Sequence, residues 1–586
     1  MKPLEFAWSA LQSITKLQPK DVKLLVDEIE YPALESDSIG YVVHLSSPKK
    51  QRENLLSLHG MYFDADKHGK ASLWRMFRAS VYHLSMHTIT TDFGIYRDLA
   101  NGASSINNLT FAISEVEDFA VKGHMKAKWP GLLFDMAYAG ALTSHRFRNL
   151  RDESLDAKVA ANLLSLAIIG KPTTSLGKDL DQELLRLQKV LFGLESTAYN
   201  YYYQLSSTDA RQGSKSSHEA DLIHAKISAV KSVLNFLDDN SVYFGDVPSP
   251  PFADNHGSNH LFERSTSAIG GTEDFDSLLR EACQAYSLDI TRSPIQESEK
   301  QVETESQAAL EDWEFSLNAM NRLAELHRSV DPTTHLEDFL FPKEDYAEFV
   351  RTRASLVGPI KLILDRLRMV RSSIDENQGQ LSGFVDMPIA LQVVASKSDR
   401  NDVFVREELE KKSEAWAILI DSSKSLEASH KLVKEISVCL TEVARELIPN
   451  QNSWGCYSFN ENMYIIKDFS ETYGNATKGR IGGLTSGLKT YLPDAMRVAA
   501  KRLTSTNEDI KVMLVASDGF PLGYQGIDDA LIETVARIKK SGIQLIGMGV
   551  GSSSLKKYFT SNCAANSPFD LMKYFVRTYV ELASLF

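Results

Sequence analysis

The chain has 586 residues, more than one hydrophobic core supports, so two to four domains are expected. Hydrophobic residues make up 43% and charged residues 24%, as in ordinary soluble globular proteins. The net charge of −13 argues against a general nucleic-acid surface, which needs clustered excess Lys and Arg. Cys283, Cys439, Cys456 and Cys563 are widely spaced and form no CxxC pair, so neither a zinc ribbon nor a disulfide framework is expected. Met1-Lys2-Pro3-Leu4-Glu5-Phe6 has no signal-peptide pattern, and Leu163 to Ile169 falls well short of the ~20 apolar residues of a membrane span. A cytoplasmic location is the expectation.

Residues 1–240 read as a mostly helical domain. Helical spacing runs from Ala71 through Val81, Leu84 and Met86, then after Leu109, over Ala157 to Ile169, and from Asp179 through Phe192. The character changes near Asp246. Pro248-Ser249-Pro250-Pro251 opens a Gly, Ser, Asn and Asp-rich stretch reaching Gly271, and Arg292 to Ser306 is polar and lacks aromatics. Residues 241–306 are therefore expected to be a flexible polar linker region with a short helix. Helical periodicity returns over Leu310 to His327 and Tyr346 to Val370, giving a helical segment at 307–380, followed by a lead-in at 381–412.

From residue 413 to 586 strands and helices alternate. Ala415 to Ile420 is wholly apolar, as in a buried central strand. A helix with Leu432, Val433, Ile436, Leu440 and Leu447 on one face follows. Gly455 to Phe459 and Met463 to Phe469 form an expected hairpin across Asn460-Glu461-Asn462. Lys511 to Ala516 and Ile543 to Val550 read as strands, Ile527 to Lys540 and Leu571 to Leu585 as helices. Such alternation implies a doubly wound, mainly parallel sheet, which binds ligands at the carboxyl ends of its strands.

At that point of the central strand stands Asp421-Ser422-Ser423-Lys424-Ser425, a D-x-S-x-S sequence. Two hydroxyls at alternate positions beside a carboxylate suit a hard cation that wants oxygen ligands. Thr490, just before a helix through Met496, Ala499 and Leu503, and Asp518 in Ser517-Asp518-Gly519 fall at matching points of the alternation. With these elements in order, the segment from Glu414 onward resembles a von Willebrand factor A (VWA) domain with a metal-ion-dependent adhesion site. The resemblance implies that Asp421, Ser423, Ser425, Thr490 and Asp518 coordinate Mg²⁺ or another divalent cation, completed by an acidic residue of a partner. Ser517 stands where the family usually has threonine.

Asp518-Gly519-Phe520-Pro521 followed by Tyr524-Gln525-Gly526-Ile527-Asp528-Asp529 is similar to the NorD/CbbO/CoxE-like group. Gly383-Phe384-Val385-Asp386 with Val403-Phe404, and Glu117-Asp118 ahead of Pro130-Gly131, fit the same group. The resemblance is good over Gly383 to Phe586 and weak before it. It implies a non-enzymatic, client-recognising adaptor that works beside a separate MoxR-type AAA+ ATPase to activate or mature a client metalloenzyme. Gly170-Lys171 is followed by Pro172 with no glycine at position 165, and no other P-loop pattern occurs, so the motor belongs to another chain. Two alternatives stay open: a VWA subunit of a chelatase-like metal-insertion complex, and a plain scaffold module.

Weaker signals have ordinary readings. His83 and His87 share a helix face, but a metal site needs a third ligand, and the HExxH glutamate is missing; packed or capping histidines are the expectation. Arg351, Arg353, Lys361, Arg366, Arg368 and Arg371 make a basic helix, read as a solvated face or a dock for an acidic partner. No Ser/His/Asp arrangement is identifiable, and Ser423 and Ser425 are placed as ligands, not nucleophiles.

Overall fold

The computed structural model describes all residues except 1, 28, 37–38, 53, 101–102, 149, 151–152, 206–211, 256–260, 263–272, 289–293, 372–375, 408–412 and 584–586. The chain divides into two units, Met1–Leu317 and Asn318–Phe586. The division falls inside the segment that the sequence reading set apart as 307–380.

The first unit is helical over most of its length, and it also carries six short strands that helical periodicity did not reveal. After α1 (Pro3–Thr15) come β1 (Val22–Asp27), β2 (Ala33–Ser36), β3 (Tyr41–Ser46), β4 (Lys49–Arg52), β5 (Leu55–Leu58) and β6 (Met61–Asp64). They form two three-stranded sheets, β1-β3-β2 and β4-β5-β6. His59 and Gly60 join β5 to β6 with φ of 51° and 70°, the backbone of a two-residue hairpin turn whose twist matches its strands.

The helices follow as α2 (Lys67–Thr90), α3 (Arg97–Ala100), α4 (Ile106–Lys128), α5 (Leu133–His145), α6 (Leu155–Ile169), α7 (Lys178–Gln204), α8 (Gln212–Asp239) and α9 (Glu273–Ala285). Asp66, Ser105 and Ser154 cap α2, α4 and α6 by accepting backbone N–H bonds from the first turn. The long helices α2 and α4 bury residues such as Trp74, Phe77, Phe111 and Phe119 in one core with α7 and α8. α10 (Pro294–Val330) begins inside the stretch expected to be linker. Its Glu, Gln, Lys and Ala are strong helix formers, so lack of aromatics did not prevent a helix. The Gly-rich part of that linker lies largely outside the described residues.

The second unit is built on a seven-stranded sheet of order β16-β15-β14-β11-β12-β13-β7. Its elements are β7 (Phe339–Leu340), α11 (Tyr346–Arg371), β8 (Glu376–Gln380), β9 (Phe384–Val385), α12 (Met387–Ser396), β10 (Phe404–Glu407), β11 (Glu414–Asp421), α13 (His430–Leu447), β12 (Trp454–Phe459), β13 (Met463–Lys467), α14 (Asn475–Gly482), α15 (Leu492–Thr504), β14 (Ile510–Ser517), α16 (Ile527–Lys540), β15 (Gln544–Val550), β16 (Ser561–Ala565) and α17 (Pro568–Ala583). β11 runs parallel to β12 and β14, and β12 pairs antiparallel with β13 in the expected hairpin.

Alternation along β11 serves two cores. Trp416, Ile418 and Ile420 face α11, α13, α14 and α17, whereas Ala415, Ala417 and Leu419 face α15 and α16. The fold is thus a doubly wound α/β domain. The lead-in at 381–412 forms, over its described part, β9, α12 and β10, and its two strands join β8, just before it, in a small sheet of order β8-β10-β9. The four cysteines are buried and form no disulfide.

Candidate metal-binding face of the central strands

β11 and β14 end side by side, with Ile420 paired to Ala516, so the loops that follow them meet. Asp421 closes β11 and is fully buried. Its Oδ1 accepts the Ser423 backbone N–H at 2.8 Å, which pulls the loop into a tight turn over the carboxylate. Its Oδ2 accepts the Ser517 hydroxyl at 2.6 Å. Ser423 and Ser425 hydroxyl oxygens stand 3.0 Å apart, as expected of alternate side chains turned to one side. Ser422 points the other way and bonds the Phe459 carbonyl at 3.2 Å, anchoring the loop to β12.

Asp518 comes next after β14 and is 6% exposed. Its Oδ1 accepts the Phe520 N–H at 3.0 Å, while Gly519 turns with φ of 79°. A Cβ at Gly519 would stand 2.7 Å from the Leu555 nitrogen, so both backbone angle and space demand glycine. Thr490 is held by reciprocal backbone bonds with Leu522, at 2.8 and 3.3 Å, and is 2% exposed. Ser425 and Thr490 line the same open hollow of about 710 Å³.

Burial pushes the Asp421 carboxyl up to about 6, against the lowering effect of the bonds from Ser423 and Ser517. Neighbouring Asp518 raises it further. Two acidic groups with hydroxyls and no nitrogen or sulfur donor make an all-oxygen set, which fits a hard divalent cation. The sequence reading gave Ser517 no role, yet this hydroxyl positions Asp421. Its place directly before Asp518 was visible, but its direction depends on how β14 registers against β11. Around the hollow, Leu488, Phe520 and Leu522 are 64%, 59% and 65% exposed, beside Lys424 and Lys557.

A model of the von Willebrand factor type A domain matches residues 417–585. Protein NorD of Stutzerimonas stutzeri is 24% identical over 157 residues, 24% of this chain and 26% of that protein, so the match spans about a quarter of the relative's length. Among solved structures, the RO (RSR) protein of Deinococcus radiodurans aligns at 13% identity, covering 84% of this chain and 94% of that one with a TM-score of 0.20. Residues 417–585 thus form a von Willebrand factor type A domain, and about a quarter of the chain is similar to protein NorD.

Proposed function

We propose that this protein is a non-enzymatic adaptor that holds a divalent cation, Mg²⁺ first among them, with Asp421, Ser423, Ser425, Thr490 and Asp518. The bound ion would supply positive charge for an acidic side chain of a partner. The observation that carries this reading is the oxygen-lined end of the central strands opening into a hollow ringed by exposed apolar side chains and two lysines. Apolar anchors around a charged centre are the composition of a protein-binding surface. Working beside a separate MoxR-type AAA+ ATPase, the domain engages a client metalloenzyme through this face. The similarity to NorD and the absence of a P-loop pattern in the sequence support that arrangement.

The test is a pull-down from native cells in the presence of Mg²⁺, comparing wild type with Asp421→Ala. A AAA+ ATPase recovered with both baits and a metalloenzyme recovered only with wild type is the expected result. Recovery of the same partners by both baits would remove the metal site from client recognition, and recovery of neither class would overturn the adaptor reading.

A further inference from the structure

In the first unit, α2 and α4 bring together three groups that the sequence did not join. His83 and His87 lie one turn apart on α2, and Asp118 comes from α4. His83 Nε2 and His87 Nε2 are 3.0 Å apart, and Asp118 Oδ1 is 3.1 Å from the first and 3.2 Å from the second. All three side chains are buried, at 4%, 5% and 9% exposure. The third ligand missing from the HxxxH spacing is therefore present.

The hydrogen-bond pattern assigns protons around this triangle. Glu117 accepts the Tyr96 hydroxyl at 2.5 Å, the Lys226 ammonium at 2.8 Å and the Thr91 hydroxyl at 3.1 Å. The Thr91 proton is thus committed to Glu117, and its oxygen accepts the His87 Nδ1–H at 2.9 Å. A neutral His87 then turns a bare lone pair of Nε2 toward Asp118 Oδ1, also an acceptor. One proton on His83 Nε2 cannot lie in line with both neighbours. His83 Nδ1 has no hydrogen-bond partner among the described residues, so the proton of a neutral His83 finds its acceptors at Nε2, in Asp118 and His87. One proton is shared among three converging atoms, whereas a cation would be bound by all three at once.

We propose that His83, His87 and Asp118 bind a divalent transition-metal ion of the Zn²⁺ type at a structural site that clamps α2 to α4. An ion about 2.1 Å from three such atoms needs them roughly 3.0–3.4 Å apart, which the observed triangle meets at its lower end. At that distance it stands about 1 Å off their plane, leaving a further position open. A cavity of about 20 Å³, room for one water, is lined by His83 and Asp118. Its other walls include Lys122, Met125, Met136, Ile168, Phe252 and Tyr286. The Thr91–Glu117 relay behind His87 is the outer hydrogen-bonding typical of metal-binding histidines. Nitrogen donors set this site apart from the all-oxygen set of the second unit.

The test is Co²⁺ titration of the chelator-treated full chain, read by visible d–d absorption, with Zn²⁺ added afterwards. The expected result is one nitrogen-ligated Co²⁺ per chain, bleached by Zn²⁺, retained in Asp421→Ala and weakened at least ~10-fold in His83→Gln and in Asp118→Asn. If one variant does not fold, the other decides, and circular dichroism distinguishes the cases. A second readout on wild type is hydrogen exchange of α2 and α4, which Zn²⁺ should slow. Absence of the band in wild type, its persistence in the folded variants, or unchanged exchange would overturn the site and leave a proton-sharing polar cluster.

Discussion

Ser517 shows how a single hydroxyl supports the buried carboxylate of the proposed cation site. Its 2.6 Å bond holds Asp421 Oδ2, while the Ser423 N–H holds Oδ1. Removing it in Ser517→Ala should weaken Mn²⁺ binding, followed by electron paramagnetic resonance, by ~10-fold or more, as outer-sphere partners of ligands typically do. Ser517→Thr keeps the hydroxyl and should restore affinity. Equal binding in all three proteins would mean that the carboxylate needs no such support. At this scale the D-x-S-x-S loop, Thr490 and Asp518 were legible, because short oxygen side chains at strand ends carry their own spacing. Ser517's bond was not legible, since a hydroxyl's direction depends on the neighbouring strand.

At the scale of elements, the second unit extends beyond the segment matched by the domain family. β7 pairs with β13 as the seventh strand, through Phe339–Met463 and Leu340–Tyr464. α11 lays Leu356, Ile360, Ile363, Leu364 and Leu367 into the core that holds Trp416 and Trp454. Arg353 and Arg368, read from sequence as part of a solvated or docking face, bond Glu442 at 2.8 Å and Glu446 at 3.1 Å on α13. Leu367 is fully buried, so Leu367→Ala should cost about 2–4 kcal/mol of the second unit's stability, seen as an earlier midpoint in pulse proteolysis across a urea series. An unchanged midpoint would mean that α11 is an appendage, not part of the domain. Helical spacing announced α11, but no local signal names the surface a helix will cover. The same limit hid β1 to β6, whose four- to six-residue lengths give too few alternations to stand out.

The whole molecule carries a pH dependence in its first unit. His59 is buried between the Ser46 and Ser80 hydroxyls, at 3.2 and 2.8 Å, and burial lowers it from 6.5 to about 3. Burial likewise lowers His124 to about 4. Folded values below the unfolded one mean that the stabilising contribution is complete above pH 6.5 and is lost as pH falls from there toward 4 and 3. Between pH 7 and pH 5 each histidine should cost the first unit about 2 kcal/mol. Hydrogen exchange of α2, corrected for the intrinsic rate, measures this. His59→Asn, a residue that tolerates the left-handed turn, should reduce the pH response between pH 7 and pH 5 by about 2 kcal/mol, whatever its fixed cost. An identical response in the variant would place the titration elsewhere.

The sequence by itself determined the doubly wound C-terminal domain, the order of its strands and helices, and the loops that carry Asp421, Ser423, Ser425, Thr490 and Asp518. Period-two and period-3.6 patterns and strand-end loops are local properties, written within a few residues of one another. Only the tertiary structure decided that β7 and α11 complete that domain. It alone brought Asp118 to His83 and His87, and Ser517 to Asp421. Those pairings join residues 31 to 96 positions apart, and which buried faces meet depends on how all the apolar stripes are covered together.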